Sequence, residues 1–415
     1  MQIDFHYYAT YCAAFLAGYS HEECLAICYS AQFTDCCTRT LLSTIGGPSE
    51  AATTQLQLEM MDARTDILGL QDITRIWSSF HFLPRDLKAD PGKGSRIYKA
   101  KYRLICGPNG DLLVKTVNLA KDKSLQAAGI AMHVLADTWA HQYFAGTPSQ
   151  VINNTDYWFF ELLPAEASGD SANSGDSRES GDTKRAFTER RITFRHNPTG
   201  KDDLDKGIYT STVYQLEENS VMSLGHGRAG HLPDYSFMRY KYLPAWGKYE
   251  EVIKDNPSDY YKAFCQMVYA MRYLRGDHET FETDRYDTEK VSPYETEIKE
   301  ILEKRQLDAC ADWKAFGEKL SGCEIPDFDA DRYCAEYKQA SVDDKDATFL
   351  GSYIDAALAQ KTMVTNQIFQ SDNLLAGYSV EYSESRFLGI RDFIHYVEHQ
   401  RKKEKACVSS SAFKT

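Results

Sequence analysis

The hydrophobic pattern of the N-terminal part is typical of helices separated by short breaks. Residues 4–18 form a dense apolar and aromatic run that ends at Gly18. The segment Ser20-His-Glu-Glu23 has the form of a capping box, which predicts a second helix to about Arg39. Residues 49–64 are rich in Ala, Gln, Leu, Glu and Met, and we expect a third helix there.

A longer central helix is predicted between Ser124, a capping residue, and about Phe144. Gly146 and Pro148 follow it and prevent its continuation. The sequence is again helical beyond Pro257, with Gly, Pro and Asp clusters between the predicted helices. These C-terminal helices are predicted at 258–275, 293–305, 311–320, 328–339, 348–359 and 384–403.

Two segments depart from the helical pattern. Residues 96–106 and 111–117 are rich in β-prone residues and flank Gly107-Pro-Asn-Gly110, so we predict a small β-hairpin near 96–117. Residues 166–184 repeat Ser, Gly and Asp with almost no apolar side chain. Because such a segment buries too little to offset its loss of entropy, it predicts a flexible surface loop.

These elements predict a mainly α-helical protein with a small β-hairpin insertion. Its 415 residues are long enough for two or three domains or for one elaborated domain. We expect a metal-binding helical core at 1–245, which contains the hairpin and the loop. The helical region 246–415 is expected to pack on that core and is a candidate surface for a protein partner.

Charge and composition narrow the possible functions. A net charge of −13 argues against broad binding of duplex nucleic acid, although bound cations can reverse the potential inside a cleft. The N-terminus lacks the basic and apolar regions of a signal peptide, and no run of 18 apolar residues predicts a membrane span. The 11 cysteines are an odd number, which is typical of reduced thiols. We therefore expect a cytoplasmic protein.

The central helix carries the motif with the clearest chemistry, His133-Val-Leu-Ala-Asp137-Thr-Trp-Ala-His141. Its three polar residues recur every four positions, so each lies about 40° around the helix from the last and all share one face. The two imidazoles are roughly 12 Å apart along the axis, which is too far for one ion. The central carboxylate can serve two ions about 3.5–4 Å apart, one with each oxygen. The same pattern also fits a buried, hydrogen-bonded polar stripe.

Further candidate ligands are distributed along the chain. Neutral imidazole and carboxylate are the usual ligands of Zn²⁺ and related ions, and glycines beside them allow tight turns. The candidates lie in short motifs that include Asp-Phe-His, Ala-Gln-Phe-Thr-Asp, Phe-His-Phe-Leu-Pro and a glycine-rich turn. They are Asp4, His6, Asp35, His81, His133, Asp137, His141, His226, His231 and Asp234.

The order of these motifs resembles the superfamily of zinc-dependent phospholipases C and S1/P1 nucleases. The residues concerned are Ala31-Gln-Phe-Thr-Asp35, Phe80-His-Phe-Leu-Pro84 and the central His-x-x-x-Asp-x-x-x-His, and they also resemble an uncharacterised bacterial family of unknown function. The resemblance covers roughly residues 1–245. It implies a multi-helix bundle like those of phospholipase C and P1 nuclease, with two or three zinc ions, although other divalent metals are possible.

The resemblance also implies how the ligands are shared. Asp35, His81, His133 and Asp137 correspond to a first zinc site, with Asp137 as the bridge. His6 corresponds to a ligand near the N-terminus, and His141 belongs to another site. His226, His231 and Asp234 are candidates for its remaining ligands.

Three departures from the family pattern affect these assignments. The last His of the central motif follows Asp137 as Asp-x-x-x-His, which is a shorter spacing than is usual in the family. The exported enzymes chelate zinc with the amine and carbonyl of a mature N-terminal Trp, whereas this sequence begins with Met1, so Asp4 is a candidate substitute. The final His-x-x-x-acid pair is not reproduced, because His231-Leu-Pro-Asp234 is one residue shorter.

The sequence therefore predicts a metal-dependent phosphoesterase that uses an activated water. Asp137 is expected to orient the nucleophile, and Arg228 is a candidate contact for the phosphate. The expected substrates are nucleic acids or nucleotides. Two alternatives remain open at this point, namely a lipid hydrolase like phospholipase C and a non-catalytic interaction protein that the metals stabilise.

Overall fold

A computed structural model describes residues 1–63, 67–155, 158–164, 187–195, 201–209, 223–246, 250–373 and 375. Within them the protein is mainly helical, as predicted, with a small antiparallel sheet. The predicted loop at 166–184 and the predicted helix at 384–403 lie outside the described residues. In the described part of the chain, no helix combines the length and apolar character that crossing a bilayer requires.

The helices begin and end as follows. A wide, π-helical turn at Asp4–Ala9 leads into α1, and short 3₁₀ turns occur at Ser49–Ala51, Leu232–Asp234, Ser292–Tyr294 and Lys345–Ala347. The α-helices are α1 Thr10–Leu16, α2 His21–Phe33, α3 Arg39–Ile45, α4 Gln57–Ala63, α5 Ile67–Phe80, α6 Arg96–Tyr102, α7 Asp111–Ala120, α8 Leu125–Ala140, α9 Gln150–Asn153, α10 Asn256–Arg275, α11 Thr288–Val291, α12 Glu295–Glu303, α13 Cys310–Ser321, α14 Cys334–Gln339 and α15 Phe349–Gln370.

The strands lie between α9 and α10. Four of them form an antiparallel sheet in the order β2-β1-β5-β6, and β3 and β4 form a separate parallel pair. The strands are β1 Phe160–Pro164, β2 Phe187–Arg191, β3 Phe194–Arg195, β4 Ile208–Tyr209, β5 Arg239–Tyr242 and β6 Val252–Asp255.

Helix α8 lies at the centre of the fold and contacts α2, α5, α7, α10 and α15. It begins as predicted, because the Ser124 hydroxyl accepts a hydrogen bond from the amide of Ala127 at 3.3 Å. Every residue from Ala128 to Ala140 is buried. A helix buried on all sides is expected to be apolar around its whole circumference. The buried ionisable side chains of α8, His133 and Asp137, are therefore exceptions that need an explanation.

The predicted hairpin near 96–117 is wrong, since α6 and α7 occupy this segment. The turn predicted at 107–110 is present. Asn109 has a positive φ of 61°, and Gly110 packs so closely on the Arg85 carbonyl that a Cβ atom there would lie 2.3 Å from its oxygen. The flanking residues are helical because α7 buries Leu112, Leu113, Thr116, Val117 and Ala120, which recur with helical spacing. Packing of this face overrides the β-propensity of the segment. The predicted helix at 49–64 is also shorter, because α4 covers only Gln57–Ala63.

Close packing of α8 on α2 gives a stability prediction. A Cβ atom on Gly129 would lie 2.4 Å from the Ile27 carbonyl oxygen, so Gly129→Val must push the two backbones apart. We expect a loss of about 2–3 kcal/mol in the free energy of unfolding, measured by denaturant titration. Ala127→Val is the matched control, because Ala127 borders a cavity between α7, α8 and α15. Equal losses in the two variants would contradict this explanation.

Candidate metal centre

Five parts of the fold bring polar side chains to one face of α8. They are the π-helical turn, the end of α2, the end of α5, the C-terminal half of α8 itself, and the turns at 225–234. The side chains that come together are His6, Asp35, His81, His133, Asp137, His141, His226 and Asp234. All of these except Asp35 and His226 are buried.

Asp137 lies at the middle of this set, and its two oxygens face different groups. Its Oδ1 atom is 3.1 Å from His6 Nε2. Its Oδ2 atom is 3.2 Å from His133 Nε2, 3.3 Å from His81 Nδ1 and 3.6 Å from His141 Nδ1. A carboxylate with imidazole nitrogens near both oxygens has the geometry of a bridging ligand.

His81 is oriented by the backbone. Its Nε2 atom donates to the Thr53 carbonyl at 3.0 Å, so in the neutral ring Nδ1 carries a lone pair. That nitrogen lies 3.3 Å from an Asp137 oxygen and 3.2 Å from His133 Nε2. A lone pair that faces a carboxylate is repelled unless a cation lies between them. Because an outer carbonyl fixes the ring in this way, the arrangement matches that of a metal-ligating histidine.

A similar arrangement recurs around Asp234. His141 donates through Nδ1 to the His81 carbonyl at 2.7 Å, and His226 donates through Nδ1 to the Gly230 carbonyl at 2.8 Å. Their Nε2 atoms lie 3.1 Å and 3.6 Å from Asp234 Oδ1. Burial lowers the pKa of His226 to about 4, so the ring is neutral at physiological pH and its Nε2 carries a lone pair.

Asp35 borders the set at its most exposed point, with 32% of its side chain accessible. Its Oδ1 atom lies 3.7 Å from His81 Nδ1 and 3.9 Å from His133 Nε2. These distances are too long for hydrogen bonds and leave room for a common cation. Solvent therefore has its clearest access to the set at Asp35.

The ligand atoms fall into three groups, and within each group they lie within 4.8 Å of one another. His133 belongs to two of the groups, and Asp137 has imidazoles near both oxygens, so the first two groups are contiguous. The groups are His6, His133 and Asp137; Asp35, His81 and His133; and His141, His226 and Asp234. The residues present thus fit two or three divalent ions held by nitrogen and oxygen.

The Met1 amine is a further member of the cluster, although it was not among the ligands proposed from the sequence. It is fully buried and donates to Asp137 Oδ1 at 2.7 Å, with Asp234 Oδ1 at 3.4 Å. Burial opposes its charge, but Asp137 and Asp234 outweigh that effect and raise the pKa of the amine to about 11. The sequence feature that could have pointed to the Met1 amine is the predicted ligand His6, which lies five residues further along the chain. Both groups contact Asp137 Oδ1.

Electrostatics keep the two central carboxylates ionised. Burial alone would raise the pKa of Asp137, but the charges of His141 and the Met1 amine hold it well below its usual value. The pKa of Asp234 is also held well below its usual value, against the effect of burial, by His226 and the Met1 amine. The ionised carboxylate is the form in which an aspartate ligates a divalent metal.

Two ligands predicted from the sequence, Asp4 and His231, lie elsewhere. Asp4 accepts from the amide of Phe5 at 2.8 Å and lies outside the three groups, and burial raises its pKa to about 6. His231 turns away and places Nδ1 3.0 Å from Asp202, a hydrogen bond that raises the pKa of its ring. Arg228 lies on the same partly buried turn as His226, and its contact with phosphate stays a prediction.

Comparison with known proteins defines the family. Searches of curated proteins and of solved structures returned no match. The model of one protein family, described as a family of unknown function (DUF6765), matches residues 1–368. The match takes in every residue of the three ligand groups and runs into α15. The chain therefore belongs to this family of unknown function, DUF6765.

Proposed function

We propose that this protein hydrolyses phosphodiesters at a centre of two or three divalent metal ions, with Zn²⁺ as the first candidate. The observation that carries the proposal is the buried Asp137 carboxylate, which has imidazole nitrogens beside both oxygens. Structural zinc sites are usually closed around one ion, whereas paired ions that share a carboxylate are common in phosphoester hydrolases. The resemblance of the motifs to zinc-dependent phospholipases C and S1/P1 nucleases supports the same chemistry.

When bound, the metals would lower the pKa of a water towards neutrality and stabilise negative charge on the phosphoryl oxygens. The residues of the chain have separate roles in this scheme. Asp137 would serve as a ligand through both of its oxygens. Asp35, at the exposed edge, is placed to orient the attacking water. Arg228 is the proposed cationic contact for a phosphoryl oxygen.

Nucleic acid or a nucleotide is the proposed substrate, because the edge of the centre at Asp35 opens to water, from which a hydrophilic phosphodiester approaches. A phospholipid is the second candidate, and one specific observation favours it. Four large apolar side chains are exposed along α4 and the start of α5, and such patches often contact membranes or partners. They are Leu56 (47% exposed), Leu58 (73%), Met61 (39%) and Leu68 (48%).

The test is hydrolysis by the metal-loaded protein. Single-stranded DNA, RNA, dinucleotides and phosphatidylcholine micelles would be incubated with the protein, with its His133→Ala variant and with its His278→Ala variant. We expect cleavage of a nucleotide substrate, its loss on chelation and in His133→Ala, and its retention in His278→Ala, which removes an imidazole near Asp287 on another part of the fold.

The other outcomes are equally informative. Cleavage of lipid alone would reverse the order of the two substrates. No turnover of any substrate at full metal occupancy would contradict the proposed function. It would favour a metal-stabilised interaction protein, with 246–415 as the candidate partner surface.

A further inference from the structure

A second cavity, with a volume of about 340 Å³, lies beyond the end of α8 and outside the three ligand groups. Three aromatic residues form part of its lining, and we call Tyr102, Tyr143 and Trp246 the aromatic cleft. The Trp246 ring lies 5.8 Å from the Tyr102 ring, edge to face, and 6.1 Å from the Tyr143 ring at 33°. Cavities of this size are large enough to enclose much of a small planar molecule.

The backbone of Tyr143 is held in an unfavourable conformation. Its φ of 78° is in the left-handed region, which a bulky residue rarely adopts. Two hydrogen bonds maintain it, from the Tyr143 amide to the Cys106 carbonyl at 3.0 Å and from Trp246 Nε1 to the Tyr143 carbonyl at 3.1 Å. Strain of this kind often occurs where a side chain is positioned for binding. In this protein, the strained conformation places Tyr143 in the lining of the cavity.

The rim of the cavity carries the exposed residues Arg85 and Asp86. The chain packs tightly around Arg85, since a Cβ on Gly110 would lie 2.3 Å from the Arg85 carbonyl oxygen and one on Gly107 would lie 3.1 Å from Arg85 Cδ. The two glycines therefore keep this arginine at the rim. A guanidinium beside aromatic rings suits a ligand that joins a flat ring to a phosphate.

We propose that the aromatic cleft binds the base of a nucleotide or of a single strand. The inference rests on the proposed function and names its substrate class. Base stacking on aromatic rings needs no positive surface, so it is compatible with a net charge of −13. The cleft and the metal centre also share two segments, because Arg85 follows His81 by four residues and Tyr143 follows His141 by two. Four residues of chain span at most roughly 14 Å, so a short strand is long enough to reach both sites.

The test is a binding titration of the metal-loaded, full-length protein with adenosine, which has no phosphate to hydrolyse or to bind metal. Adenosine is expected to change the tryptophan fluorescence, and ribose 5-phosphate is expected to leave it unchanged. The fluorescence change should disappear in Trp246→Phe, because this variant removes the tryptophan of the cleft and leaves the other four in place. No binding of adenosine, or an equal response to ribose 5-phosphate, would overturn the proposal.

Tyr143→Gly removes the Tyr143 ring from the cleft without straining the backbone. Glycine accepts the positive φ without strain, so the melting temperature should not fall, while the dissociation constant for adenosine should rise about tenfold. Tyr143→Phe keeps the ring and should bind like the wild type. Unchanged affinity in Tyr143→Gly would place the base outside the cleft and contradict the proposal.

A short oligodeoxyadenylate distinguishes the two sources of the base. Binding at least tenfold tighter than that of adenosine monophosphate supports a single strand, and equal binding supports a mononucleotide. The result is separable from the activity assay. Hydrolysis without adenosine binding would refute the cleft alone, whereas adenosine binding without hydrolysis of any substrate would refute the phosphodiesterase function alone.

Discussion

Asp137→Asn is expected to release more than one metal ion per chain, whereas His81→Ala is expected to release about one. The reason is that Asp137 faces imidazoles with both oxygens, so its loss removes a ligand from two neighbouring ions. His81 presents only Nδ1 to the centre, because Nε2 is engaged by the Thr53 carbonyl. Since loss of even an outer partner of a metal ligand costs about 10–100-fold in affinity or activity, the proposed phosphodiesterase activity should fall at least 100-fold in Asp137→Asn.

The measurement is elemental analysis of each purified variant, paired with thermal unfolding to establish that it is folded. Asp35→Asn is a second single-site comparison, because Asp35 approaches the centre from its exposed edge through one oxygen. It should also lose about one ion. If all three variants lost the same number of ions, Asp137 would not be a bridge, although metal binding itself would stand.

How far the sequence predicts this centre depends on whether the ligands lie within one element. The spacing in α8 is local, and helical geometry alone places His133, Asp137 and His141 on one face. Nothing local predicts that the end of α2 and the end of α5 meet that face. Asp35 and His81 were proposed because the order of their motifs resembles a known superfamily. The structure brings both residues to the centre.

In the turn at 225–234, the spacing of residues in the sequence does not identify which histidine is the ligand. His226 and His231 both precede Asp234, and the sequence offers no means of choosing between them. The choice is made by the backbone, because the Gly230 carbonyl fixes the His226 ring towards Asp234, while Asp202 holds the His231 ring elsewhere. A contact with Asp202, 29 residues away in the chain, is set by tertiary structure and has no signature in local spacing.

The same distinction explains the helices. Side-chain caps are encoded in the sequence next to the helix they start, and those of Ser20 and Ser124 were identified correctly. The segment 96–117 has β-prone residues but folds as α6 and α7. In α7 the buried positions follow a helical period, and this face packs on α8 and α15. A glycine-containing turn does not reveal whether it joins strands or helices. Tertiary packing decides between them.

Chelation is expected to destabilise the whole protein, and not only to inactivate it. The metal-free centre retains two buried carboxylates, Asp137 and Asp234, next to imidazole nitrogens whose lone pairs point at them. The Met1 amine is one cation between these two carboxylates, so a buried negative charge stays unbalanced, which costs several kcal/mol. Ions that bind the folded chain a thousandfold above their dissociation constant stabilise it by about 4 kcal/mol. With an unfolding entropy of about 2.1 cal/mol/K per residue over 415 residues, this corresponds to a fall in melting temperature of roughly 5 °C for each ion that chelation removes.

The matched variants separate this effect from nonspecific effects of the chelator. His231→Ala lies outside the three ligand groups and should show the full fall in melting temperature. His141→Ala removes a ligand next to Asp234, so its metal-loaded form should already melt lower and respond less to chelation. An unchanged melting temperature in the wild-type protein, with complete removal of metal verified by elemental analysis, would show that the buried cluster is held by its own hydrogen bonds. In that case the cluster would be the polar stripe that the spacing in α8 also allows.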